Sequence, residues 1–190
     1  MRIGILGGAF DPIHNGHLAL ANAVLQKLSL ELVIFVPSGI SPVQKEGKTL
    51  TPAKLRLEMV KSAIQGNSEF EVSDVEIQRK GVSYSVDTLI EFRKRFPIPN
   101  ELFWLVGADW APFLNQWKDI ETIFTLCQMV AVMRPGFQLN KLPSQVVAVE
   151  FDALNISSSE IRAAVKQGKN IDCLVPGSVC EIIKRENLYQ

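Results

Sequence analysis

Histidine occurs only at positions 14 and 17, and both fall within one glycine-rich stretch, Gly7-Gly8-Ala9-Phe10-Asp11-Pro12-Ile13-His14-Asn15-Gly16-His17. Imidazoles three residues apart at the start of a helix can face one side, beside backbone N–H groups that favour an anion. Paired N–H donors there suit charge building on a phosphate. Gly7-Gly8 lets a phosphate approach the backbone, because no Cβ blocks it. A plain Gly-Gly turn with two surface histidines fits the same spacing. A zinc pair is disfavoured because no third ligand is evident, and the G-x-G-x-x-G fingerprint of hydride-transfer enzymes is absent.

A second stretch, Ile156-Ser157-Ser158-Ser159-Glu160-Ile161-Arg162, stands near the other end. Ser157 and Glu160 have the spacing of a capping box, which by itself accounts for both. Arg162 is different, because a cation in the first turn opposes the helix dipole and is better explained with an anion nearby. Serine hydroxyls, free backbone N–H groups and a guanidinium together make a polyphosphate cradle. On these residues alone, cap and cradle stand side by side.

Together the two stretches resemble the nucleotidyltransferase superfamily with an (H/T)-x-G-H motif. More closely, they resemble the bacterial nicotinate-nucleotide adenylyltransferases, which read G-G-x-F-D-P-x-H-x-G-H and I-S-S-T-x-I-R. Two further segments fit that family. Gly81-Val82-Ser83-Tyr84-Ser85-Val86-Asp87-Thr88-Leu89 is similar to its segment around the nicotinate group. Leu105-Val106-Gly107-Ala108-Asp109, followed by Trp117-Lys118, is similar to its G-x-D strand end and stacking tryptophan. The likeness runs over nearly the whole chain in the right order.

The resemblance implies adenylyl transfer from ATP to nicotinic acid mononucleotide, with Mg²⁺ accompanying ATP and no metal ligand from the protein. It implies a catalytic set of His14, His17 and Arg162, with His17 nearest the transferring phosphate. ATP would meet Gly8, Ala9, Phe10, His17, Lys45, Gly107, Asp109, Ile156, Ser158, Ser159 and Arg162. The mononucleotide would meet Gly7, Gly8, Ala9, Lys45, Tyr84, Ser85 and Trp117. Such chemistry needs no carboxylate dyad, since a phosphate monoester is already ionised near neutral pH, and positioning with positive donors does the rest. Plainer roles stay open: Ser85 or Asp109 as helix caps, Lys45 as a solvated loop residue, tryptophans as core.

The chain departs from the family at Ala9, where a hydroxyl residue is usual, and at Ser159, where threonine is. Ser41-Pro42-Val43-Gln44-Lys45 stands in place of P-P-H-K. Other superfamily members, such as pantetheine-phosphate adenylyltransferase or a cytidylyltransferase, and a non-catalytic nucleotide sensor are the competing readings.

These residues need a scaffold. Ile3 to Leu6, Leu32 to Val36, Phe70 to about Val75, Leu102 to Val106, Met129 to Met133 and Val146 to Val149 read as buried strands. Helical spacing at Leu18, Ala21, Leu25 and Leu28 places a helix after the first strand. Further helices are expected over Pro52 to Gln65, Ser85 to Arg95, Asp119 to Leu126, Ser158 to Gln167 and Pro176 to Arg185. The alternation predicts an α/β fold: a doubly wound, Rossmann-like parallel sheet with ligands at the carboxyl ends of its strands. Ser38 to Thr51 is the longest loop and the expected lid.

At 190 residues the chain suits one domain, 1–190, with the helices from about 157 onward as a small subdomain. Hydrophobic residues at 47% and charged residues at 21% exclude disorder and low complexity. Lys plus Arg equals Asp plus Glu, 20 against 20, which argues against nucleic acid or an anionic membrane as a bulk partner. Cys127, Cys173 and Cys180 lack C-x-x-C spacing and are expected as buried, reduced thiols. No apolar run approaches membrane-spanning length, so a cytoplasmic protein is expected, with a homo-oligomer left open.

Overall fold

The computed structural model describes residues 1–40, 42, 50–133, 142–152 and 154–190. Six parallel strands form the sheet: β1 (Arg2–Gly8), β2 (Leu32–Pro37), β3 (Phe70–Val72), β4 (Glu101–Gly107), β5 (Gln128–Met133) and β6 (Val146–Glu150). Their order is β3-β2-β1-β4-β5-β6. The chain winds outward from β1 in one direction, then returns to β4 and winds outward in the other. Strand order therefore reverses between β1 and β4, where a crevice opens at the carboxyl ends.

Apolar runs without alternation are explained by burial on both faces. Leu6, Val33, Phe35, Phe103, Leu105, Val130 and Val132 point to one face, where α1 (Asn15–Lys27), α2 (Ala53–Ile64), α6 (Ser158–Lys166) and α7 (Gly177–Arg185) close over them. Ile3, Ile5, Ile34, Val36, Leu102, Trp104, Met129 and Ala131 point to the other. That face is covered by α4 (Ser85–Arg95), α5 (Ile120–Leu126) and a 3₁₀ segment, Ala108–Gln116. Trp104 is buried among these side chains.

Three local departures from the sequence pattern have physical reasons. β3 ends at Val72 because the polar pair Ser73-Asp74 starts a short helix, α3 (Val75–Gln78), with the Ser73 hydroxyl accepting the Val75 N–H at 3.4 Å. The 3₁₀ segment carries Pro112 in its interior and lacks the apolar spacing of a longer helix. Cys127 and Cys180 are buried as expected, whereas Cys173 is exposed. Of the expected lid, residues 41 and 43–49 lie outside the described residues.

Candidate active site

The turn after β1 sets the site. Phe10 takes a left-handed backbone, φ 47, which sends its ring inward to be buried between Phe35, at 5.8 Å, and His17. It meets the His17 ring edge-on at 5.0 Å. His14 stands at the N-cap of α1, and its ring, 5% exposed, stacks on His17 at 3.7 Å with planes 22° apart. The His14 backbone N–H donates to Nδ1 of His17 at 3.2 Å. Since Nδ1 accepts, the proton of a neutral His17 sits on Nε2. Burial first, and the adjacent His14 second, push the His17 pKa down to about 3. His17 is thus a neutral ring with one oriented N–H.

Gly16 makes the stack possible. A Cβ at this position would stand 3.0 Å from Nδ1 and 3.1 Å from Cε1 of His14, closer than an unmoved ring tolerates. The glycine between the histidines leaves the stacked ring its room, and any side chain here would make the His14 ring give by a few tenths of an ångström.

The late stretch arrives at this turn through α6. Ser157 and Glu160 form the capping box: Ser157 Oγ accepts the Glu160 N–H at 3.2 Å, and Glu160 Oε2 accepts the Ser157 N–H at 3.1 Å. That cap frees the next residues for other work. Ser158 Oγ donates to the Pro12 carbonyl at 3.0 Å. Arg162 Nη1 donates to the Asp11 carbonyl at 2.6 Å, and Nη2 to Ser159 Oγ at 3.2 Å. Ile156 packs on the core beside them. Segments about 150 residues apart are bonded to one another, and Arg162 stands against the histidine turn.

A cavity of about 680 Å³ opens on the other side of Gly7-Gly8-Ala9, between β1 and β4. Tyr84, Ser85, Gly107 and Trp117 line it, with Trp110, Phe113 and Lys118. Lys118 Nζ lies 4.5 Å from the centroid of the Tyr84 ring and 3.9 Å from Asp87, giving this wall a cation over an aromatic face. Glu76 forms part of the remaining wall. Its carboxylate accepts the Thr88 hydroxyl at 2.9 Å, and its carbonyl accepts Ser83 Oγ at 3.3 Å. Burial pushes the Glu76 carboxyl pKa up, opposed by Thr88, Arg79 and the Gly39 N–H. Gly39 is pressed so closely that a Cβ would fall 2.1 Å from the Glu76 carbonyl oxygen.

The expected residues thus separate into two neighbouring groups. Phe10, His14, His17, Ile156, Ser158, Ser159 and Arg162 gather at the histidine turn. Gly7, Gly8, Ala9, Tyr84, Ser85, Gly107 and Trp117 line the cavity. Asp109 is exposed just beyond Gly107, in the first turn of the 3₁₀ segment, where the cap position belongs to Gly107. Tyr84, and not Ser85, holds the cap position of α4. Lys45 lies outside the described residues.

Sequence reasoning missed the buried polar groups behind the site. Arg56 is 2% exposed and donates to the carbonyls of Ala9, Ser38 and Thr51 at 2.6, 2.7 and 2.9 Å. Burial pulls its pKa down, with Asp11 and Tyr189 opposing. Asp11, Glu76 and Tyr189 were likewise unassigned. For Arg56 the signal was an arginine among the apolar positions of α2, while its partners at Ala9 and Ser38 are backbone atoms 47 and 18 residues away.

The chain belongs to the cytidylyltransferase-like family, whose model matches residues 5–164. Within it, the chain belongs to the nicotinate-nucleotide adenylyltransferases. A protein of Moorella thermoacetica named a probable nicotinate-nucleotide adenylyltransferase is 42% identical over 200 residues, covering 100% of this chain and 92% of the relative. One of the same name from Corynebacterium kroppenstedtii is 44% identical over 193 residues, covering 99% and 90%. The Plasmodium falciparum nicotinic acid mononucleotide adenylyltransferase complexed with NaAD superposes with a TM-score of 0.75, covering 99% of this chain and 97% of that one. At 22% identity, that likeness concerns the fold.

Proposed function

We propose that the chain transfers the adenylyl group of ATP to nicotinic acid mononucleotide, yielding deamido-NAD and pyrophosphate in the biosynthesis of NAD. The observation that carries this reading is the approach of Arg162 to the histidine turn, directly beside a cavity of mononucleotide size. The mononucleotide phosphate attacks the α-phosphorus of ATP. A new P–O bond forms as the bond to the bridging oxygen breaks, and the electron pair leaves with pyrophosphate.

Each group has a task in this reading. The His17 Nε2–H donates to the α-phosphate oxygens as their charge builds. His14 buttresses that ring, and Ser158, Ser159 and Arg162 hold the β and γ phosphates. Ile156 and Phe10 shape the walls, and the Gly8 and Ala9 backbone lies between the two substrates. Gly107 and Asp109 face the ribose. Trp117 stacks on the pyridine ring, with Tyr84 and Ser85 beside its carboxylate. Lys45 keeps the cationic role of the family's loop. Residues 1–190 act as one domain, the helices from about 157 serving as a small subdomain that delivers Arg162. The protein works in the cytoplasm, where ATP is at hand.

Among the described residues no three His, Cys, Asp or Glu side chains are grouped to hold a metal. A magnesium ion arriving with ATP would need no protein ligand beyond the phosphates that Ser158, Ser159 and Arg162 would hold. When bound, it neutralises charge on the triphosphate. No helix among the described residues is long and apolar enough to cross a membrane.

Pyrophosphate release measured with ATP and nicotinic acid mononucleotide, its amide, or phosphopantetheine tests the reading. The acid and amide compete at equal concentration in one tube. Product from the acid, in excess over that from the amide, is expected. Turnover with phosphopantetheine alone, or with CTP alone, would reassign the substrate, and no product from either pyridine mononucleotide would end the proposal.

A further inference from the structure

Tyr189 follows α7 with φ 67, a left-handed backbone that a bulky residue seldom adopts. Such a conformation persists where its surroundings over-determine it. The Tyr189 ring packs on the core, its side chain bonds with that of Thr51, and its hydroxyl donates to Asp11 Oδ1 at 2.7 Å. Asp11 is 3% exposed, and its other oxygen accepts the Thr51 N–H at 3.3 Å. The Asp11 carbonyl is the acceptor for Arg162. Arg56 closes the cluster from behind through Ala9, Ser38 and Thr51. The turn after β1, the start of α2, helix α6 and the segment after α7 therefore converge on Asp11. Burial pushes the Tyr189 phenol pKa up, so it stays a hydrogen-bond donor through the neutral range.

We propose that Tyr189 is a positioning residue for adenylyl transfer: its hydroxyl fixes the Asp11 carboxylate, and the Asp11 backbone in turn fixes the Arg162 guanidinium against the histidine pair. The inference rests on the adenylyl-transfer reading above for its kinetic consequence, and on geometry alone for its structural one. A purely structural tyrosine would lower stability and leave the kinetic constants of the folded protein in place.

Tyr189→Phe keeps the ring and removes only the hydroxyl. Turnover with ATP and nicotinic acid mononucleotide is measured for parent and variant, with thermal unfolding and hydrogen exchange over residues 9–17. The expected result is a ~10-fold loss of kcat, with KM for the mononucleotide within about twofold and faster exchange over residues 11–17. A folded variant with parental kcat and parental exchange overturns the proposal. So does a loss shared equally by kcat and both KM values that tracks a falling Tm. Should Tyr189→Phe fail to fold, Asp11→Ala, which removes the acceptor of the tyrosine hydroxyl and keeps the backbone carbonyl that Arg162 meets, is measured with the same criteria. A parent protein without turnover would count against the functional reading alone, and exchange over residues 9–17 would then decide the clasp.

Discussion

His17 is held as a neutral imidazole, and the sign of its pKa shift sets two expectations. With a folded pKa near 3 and an unfolded value of about 6.5, the ring is uncharged at every pH at which the enzyme would be assayed. The pH profile of kcat/KM from 5.5 to 8 should therefore carry no limb from this residue. Stability behaves differently. As pH falls through about 6.5 the unfolded chain takes up a proton that the folded ring refuses until near 3, so the fold loses stability across that window. Calorimetric melting should show a larger drop between pH 7.5 and 5 for the parent than for His17→Gln, and equal drops would contradict the buried neutral ring. His17→Ala should cut turnover by ~10²-fold or more with little change in ATP affinity, because its donor matters most as charge develops. An unchanged rate removes His17 from the mechanism.

Helix α1 and the turn before it carry the second prediction. Gly16→Ala adds a methyl group that presses on the His14 ring, 3.0 Å away, while improving helix propensity at an ordinary helical position. Turnover should fall by roughly tenfold while the melting temperature stays near that of the parent, a split that separates catalytic geometry from stability. Full turnover in a well-folded Gly16→Ala would show that the ring can give way at no cost. Most elements of the fold were legible in the same local terms. Continuous apolar runs marked β1, β2, β4 and β5, and the Ser157–Glu160 spacing marked the start of α6. The 3₁₀ segment was not legible, because three residues per turn around Pro112 leave no 3.6-residue pattern. The end of β3 was missed because Val75 continues an apolar pattern that Ser73 and Asp74 interrupt only by hydrogen bonding.

At the scale of the whole molecule, the cavity opens where the two halves of the sheet diverge, and no three His, Cys, Asp or Glu side chains among the described residues are grouped to hold a metal. Chelating divalent ions with EDTA should therefore abolish pyrophosphate release yet leave the melting temperature of the nucleotide-free protein unchanged. A fall in that temperature would reveal a structural metal. The sequence by itself determined the α/β class, most of the strands and helices, and the two motifs, because periodicity, caps and turn residues act over a few neighbours. Tertiary structure alone decided that Arg162 reaches the Asp11 carbonyl, that Glu76 forms part of the cavity wall beside Gly39, and that Tyr189 and Arg56 close on the first turn. Those contacts join a side chain to partners up to 178 residues away, several of them backbone carbonyls that every residue possesses. No local pattern encodes such a pairing. It exists only once the sheet has brought the segments together.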